Sequence, residues 1–195
     1  MTWSIARSLS LALGLWAALG PGSLLAVPVN YSLQPNGTIV GFATTFGQDQ
    51  ITGHIPITSA NLKLDFNQPG KSTIDVTLNV ADADASFPFA AQALKGPKIL
   101  AAKDYPQITF TSTMIRAEAD GARVEGIITI RGVARPIAMF AQFWQQSGQA
   151  KGDLALLTIR LTGALLRSDF GATGWNDMVG DEVRLDILAK IARDE

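Results

Sequence analysis

Arg167 and Asp169 stand two apart in the stretch LTGALLRSDFG, residues 161–171, behind an apolar run and ahead of Phe170 and Gly171. In an extended segment, residues i and i+2 point the same way, so guanidinium and carboxylate could pair or cap local backbone groups. Such a pair could serve an active site or hold a corner where a strand leaves a sheet. The other candidates for chemistry are few. His54, the single histidine, lies in ITGHIPI on the side of Thr52 and Pro56, opposite Ile51, Gly53 and Ile55, which turns it to solvent. A hydrolytic triad would have to use it, and no G-x-S-x-G elbow accompanies it. A metal site would need an H-x-H or H-E-x-x-H spacing that one histidine cannot supply. Asp82 and Asp84 in ADADAS lack the run of oxygen ligands and closing Glu of a calcium loop, and read as a polar strand exit. Among 17 acids, nothing singles out a facing pair for glycoside hydrolysis.

No phosphate-cradling glycine motif occurs. The chain has no cysteine, so disulfides, thiolate metal sites and cysteine catalysis are excluded. Without nucleophile, base or metal site, binding is favoured over catalysis, and Arg167 with Asp169 is read first as structural. The alternative is Arg167 facing a ligand's polar head.

Sixteen basic and 17 acidic residues leave a net charge of −1. With no basic stripe to meet a phosphate backbone, nucleic acid is not an expected partner. Residues 1–26 form a separate problem. Arg7, the apolar run LSLALGLWAALG, Pro21-Gly22 and small residues up to Ala26 are the parts of a secretory signal peptide. The run falls short of the roughly 20 apolar residues that span a bilayer, so an uncleaved anchor is the lesser alternative. Leu24, close to the exit, is not the small residue usually wanted there and leaves the cleavage position soft. Residues 27–195 are then one periplasmic or secreted domain.

Period-two alternation dominates that domain. Ile74, Val76, Leu78 and Val80 share one face of STIDVTLNV, with polar residues between them. Residues 123–131 and 183–191 repeat the pattern, and weaker versions run through 38–46, 50–57, 60–66, 106–115, 136–145 and 153–162. Small residues such as Gly41, Ala43, Gly126 and Ala141 are expected among the larger inward ones. Residues 81–105 do not alternate and are expected to be a long connection carrying short helical turns. Antiparallel strands with one apolar face must close into a barrel or pair as a sandwich. Strands longer than the usual ~5–6 residues favour a tall barrel. The pattern does not separate a barrel filled by side chains from one that holds a ligand.

Four stretches in order then carry a family resemblance: KDYPQITFTS (103–112), VEGIITIRGVARPIAMFAQF (124–143), LLRSDFG (165–171) and VGDEVRLDILAKI (179–191). Over residues 29–192 the chain resembles the YceI-like family of lipocalin-like periplasmic proteins that bind polyisoprenoids. The resemblance implies an all-β, extended eight-stranded antiparallel lipocalin-like barrel with one long connection. Its apolar tunnel would hold an isoprenoid lipid, polyprenyl or quinone-type, with no other cofactor and no catalytic residue. The lining is expected to include Phe42, Phe66, Phe110, Met114, Ile128, Met139 and Phe143. Phe87, Phe89, Leu94 and Ile99 would form a cap, and Arg167 would lie at the mouth. Phe46, Ile55 and Gln92 replace residues many members carry near the mouth, so head-group recognition is not carried over. A second class stays open: a filled barrel touching the membrane or an envelope partner through outward Phe140 and Trp144. A lipid-modifying enzyme is a third. The sequence does not decide whether the protein is a homodimer.

Overall fold

The computed structural model describes residues 27–195, and the expected export segment, residues 1–26, lies outside the described residues. Alternating stretches become strands. In chain order they are β1 (Val29–Leu33), β2 (Ile39–Phe46), β3 (Asp49–His54), β4 (Ile57–Leu64), β5 (Thr73–Asn79) and β6 (Asp84–Ala85). After helix α1 (Pro88–Lys95) come β7 (Gln107–Glu118), β8 (Gly121–Ile130), β9 (Val133–Gln145), β10 (Leu156–Leu166) and β11 (Glu182–Arg193). Every pairing is antiparallel, and β11 returns to pair with both β1 and β2. With β1–β2, β3–β4 and β5–β6 taken as three bent strands, the sheet closes as an eight-stranded antiparallel barrel.

The bends follow from local chemistry. Between β1 and β2, Pro35 has no N–H to donate, and Gly37 takes a left-handed φ of 93°. The loop displaces the chain from its partner: Leu33 faces Ile191 while Ile39 faces Leu188. The Thr38 hydroxyl fills the gap. It donates to the Gln34 carbonyl at 2.7 Å and accepts the Lys190 amide at 3.1 Å. Between β3 and β4, Pro56 breaks the ladder for the same lack of a donor.

Alternation places one apolar face inside. Val124, Gly126, Ile128 and Ile130 of β8 are buried, as are Ile137, Met139 and Ala141 of β9. Two aromatic rings need glycines to fit. A Cβ on Gly126 would strike the Phe110 ring, and one on Gly53 would strike Phe42. At the end of the barrel away from α1, Tyr31, Leu62, Leu64, Leu157 and Ile191 form a tight cluster. Tyr31 donates its hydroxyl to the Leu154 carbonyl at 2.9 Å. Each fully buried Leu or Ile contributes roughly 1.5–3 kcal/mol, and Leu157 and Ile191 retain no exposed surface.

Parity fails at one strand. In β7, Ser112 faces Gly126 but Met114 faces Glu125, so an extra residue sits in the ladder. This bulge reverses the faces beyond it. Ile115 is 6% exposed and Met114 is 41% exposed. The Ser112 hydroxyl meets the irregularity by accepting the Ile74 amide at 2.9 Å.

Candidate binding cavity

A cavity of about 270 Å³ lies inside the barrel. Its wall takes side chains from all eight strands of the barrel, bent and straight, including Val40 and Phe42, Ile57, Val76, Phe110, Ile128, Met139, Leu161 and Leu185. At one end α1 lies against it through Ala90, Ala93 and Leu94, which share a helix face at spacings of three and four. Ile99 and Leu100 from the segment after α1 complete this cap, with Phe170, Ala172, Trp175 and Val179 from the turn between β10 and β11.

The cap is tied down at two places. Arg131, in the β8–β9 turn with φ 51°, donates through Nη1 to the carbonyls of Pro97 at 2.8 Å and Ile99 at 2.6 Å. Gly174 donates its amide to the Lys98 carbonyl at 3.1 Å, and Lys98 Nζ stands 5.7 Å from the Trp175 ring centroid. The far end is a floor in which Phe66 meets the edge of Tyr31 at 5.9 Å and the tilted ring of Phe143 at 5.3 Å.

Arg167 is the charged residue in the wall, and it is 6% exposed. Burying a guanidinium is costly unless its donors are met. Here every one of them is. Nε donates to Gly180 O (2.9 Å), Nη1 to Ala172 O and Gly174 O, and Nη2 to Asn176 Oδ1 and Val179 O (2.9 Å each). The side chain thus holds the 172–180 turn, and nothing remains on it to donate inward. Asp169 does not pair with it. Residues 167–170 form a 3-10 turn rather than an extended segment, and Asp169 is exposed. The other polar group, Thr44, is likewise committed: its hydroxyl lies 3.1 Å from the Gly180 carbonyl and 2.9 Å from that of Glu182.

The carboxylate that does serve this corner is Asp181. It accepts from the Ser168 hydroxyl at 2.6 Å and from the Ser168 amide at 2.9 Å. The hydroxyl bond is the main cause that holds its pKa below the ordinary carboxylate value, with the backbone bond and Arg167 adding to it against an opposing effect of burial. A depressed folded-state pKa contributes stability that is complete above the unfolded value of about 3.9 and is lost as pH falls through the folded one. Ser168→Ala should therefore raise the Asp181 pKa, read by carboxyl NMR titration, and shift acid unfolding to higher pH. An unchanged titration would contradict the assignment.

Of the residues expected to line the tunnel, Phe42, Leu94, Ile99, Phe110, Ile128, Met139 and Arg167 do line it. The other five do not. Met114 is turned outward by the bulge. Phe66 and Phe143 lie in the floor, Phe143 being half exposed. Phe87 precedes α1 and Phe89 falls off its inner face, leaving it 84% exposed. Phe140 is half-buried and Trp144 is exposed. Sequence reasoning does not reach Trp175 and Phe170. They sit in a turn with no periodicity, and only the apolar character of Phe170 near Arg167 hints at a wall position. His54 is exposed on β3, as its parity requires. Among the described residues, no helix is long and apolar enough to cross a membrane.

The sequence matches the YceI-like domain over residues 31–191. Protein YceI of Escherichia coli and that of Salmonella arizonae are each 25% identical over 154 residues, covering 75% of this chain and 81% of theirs. In structure, BcnA of Burkholderia cenocepacia aligns with a TM-score of 0.72 at 23% identity, over 83% of this chain and 99% of that one. A polyisoprenoid binding domain from Saccharophagus degradans, implicated in plant cell wall breakdown, aligns at 0.59 and 10% identity, over 85% and 99%. These structural likenesses concern the fold. Matched along nearly the whole of its barrel, the chain belongs to the YceI-like family.

Proposed function

We propose that this protein binds an isoprenoid lipid, a polyprenyl or quinone-type chain, as a store or carrier in the periplasm or outside the cell. The carrying observation is the cavity: about 270 Å³, walled by aliphatic and aromatic side chains, with the polar atoms of Arg167 and Thr44 turned to backbone carbonyls and to Asn176 Oδ1. A branched hydrocarbon chain suits such a wall because it asks for no hydrogen bond. Each Å² of apolar ligand surface removed from water contributes about 25 cal/mol. The cavity is close to the low end of the range of roughly 300–1,000 Å³ typical of small-ligand sites, which suits a narrow chain better than a broad ring system. The polyisoprenoid binding domain of S. degradans shares the fold and supports the same ligand class. The function needs no reacting group, in keeping with a binding protein rather than an enzyme.

The test is mass spectrometry of an organic extract of the protein purified from the exported fraction of its host. A prenyl lipid in stoichiometric yield is the expected result. Lipid-free extracts from several hosts, together with a crystal structure whose barrel is packed solid, would overturn the proposal.

A further inference from the structure

We infer that Trp175, with Lys98 beside it, forms the site that receives the polar head of the bound ligand, and that this head carries a hydrogen-bond acceptor oxygen. The inference rests on the lipid-binding proposal above. The cavity wall divides into a closed interior and a rim. Inside, the Arg167 and Thr44 donors are all spent on backbone and Asn176 oxygens. A head group drawn into that interior would lose its water and find no free donor, with an uncompensated desolvation cost for each unmet group.

Trp175 differs from every other described wall residue: it lines the cavity and is also exposed, at 40%. It therefore marks where the cavity meets solvent. Its indole N–H makes no hydrogen bond with a described residue, so a donor is free at the mouth. Lys98 is exposed there too, 5.7 Å from the ring. The ion pairs among the described residues are Arg116–Glu125, Arg123–Glu118, Arg160–Asp186 and Arg184–Glu182, so the Lys98 ammonium rests over the Trp175 ring without a carboxylate partner.

The placement is built rather than incidental. Trp175 holds φ at 55°, a left-handed conformation that bulky residues avoid, and such strain gathers at functional positions. Its neighbour Gly174 bonds the Lys98 carbonyl, and a Cβ at Gly174 would press against the Lys98 side chain and Ile99. Two remote segments are thereby brought together with a donor and a cation on one rim. The ligand's tail would lie in the barrel and its oxygen at the rim, bonded to Trp175 Nε1. A quinone carbonyl and a phosphate oxygen share this chemistry.

Three probes of matched chain separate the possibilities: a prenyl quinone, a prenyl monophosphate and a head-less prenyl hydrocarbon. Trp175→Phe keeps an aromatic ring and removes the N–H. It should weaken binding of the headed probes roughly three- to tenfold, the worth of one hydrogen bond, and leave the hydrocarbon unchanged, with the thermal midpoint as in the parent protein. Lys98→Met should weaken the monophosphate about tenfold in low salt, less in high salt, and barely touch the quinone. The probe with the larger wild-type advantage over the hydrocarbon identifies the head as carbonyl or phosphate. A Phe variant that weakens all three equally, or none, overturns the inference, and so does a wild-type protein that holds headed and head-less probes alike. In those cases lipid binding stands. Failure of the wild-type protein to bind any of the three overturns the lipid-binding proposal as well.

Discussion

Arg167→Met should destabilise the protein by about 3–5 kcal/mol, the usual cost of breaking a buried charged network from one side. The methionine fills much of the same volume, so packing is not the main loss. Four carbonyls, those of Ala172, Gly174, Val179 and Gly180, together with Asn176 Oδ1, would lose the guanidinium as donor, the Gly180 carbonyl keeping the Thr44 hydroxyl. Buried acceptors stripped of a partner each cost about 1–3 kcal/mol where water cannot reach them. Water will reach some of them, because the turn will loosen, and that limits the total. Arg167→Lys should not restore the wild type, since an ammonium brings three donors on a point charge instead of a planar fork of five. Urea unfolding of wild type and both variants checks this. A loss below about 1 kcal/mol for the Met variant, within the range of an exposed ion pair, or wild-type stability in the Lys variant, would show that the turn holds itself.

Val76→Trp should abolish most lipid retention, lowering extractable ligand at least about tenfold, while the barrel remains folded. Val76 lies mid-wall on β5, opposite Ala60 on one side and Phe110 on the other, and its side chain borders the cavity. Enlarging a core residue normally costs about 1–3 kcal/mol through strain. Here the indole has volume to enter, and unfilled apolar volume forgoes about 24 cal/mol per Å³, so strain and filling oppose each other. The expected pattern is unchanged or higher thermal stability of delipidated protein, with little lipid on extraction. Undiminished lipid content in a folded variant would place the ligand somewhere other than the barrel interior.

The strands are legible in the sequence because alternation is a local signal. It places β5, β8 and β11 closely, and the long connection shows itself by lacking the period. The same signal identifies Phe42, Phe110, Ile128 and Met139 as wall residues, since each sits on a regular strand. It fails where geometry departs from the period. The bulge in β7 exchanges Met114 for Ile115, and no residue type in TFTSTMI announces it. Hydrophobicity alone assigns Phe87 and Phe89 inward, but α1 turns Ala90, Ala93 and Leu94 to the cavity instead. Ala43, expected inside, takes the face of β2 opposite Phe42, as strict alternation already requires. Gly41 shares that opposite face and reaches the cavity only through its backbone. β1 is five residues long and largely exposed, too short to show a period. Trp175 and the partners of Arg167 belong to a turn whose order is tertiary. Whether the barrel is hollow depends on the fit of side chains across the interior, which no single strand encodes.

The seam of the barrel has a kinetic consequence. Counted as eight, with β1–β2, β3–β4 and β5–β6 each one bent strand, every strand pairs with its neighbour in sequence except at the one junction where β11 meets β1 and β2. All the other junctions can zip as the chain emerges, from hairpin to hairpin. The last joins Tyr31 to Arg193 and must wait for the final strand. Until then the meander carries two raw edges, each with a row of unpaired amides and carbonyls ready to add a foreign strand. Closing a loop of that length is also the slowest contact to make. The interval before β11 arrives is thus when this chain is most exposed to aggregation, and the stage at which a holding chaperone would matter most.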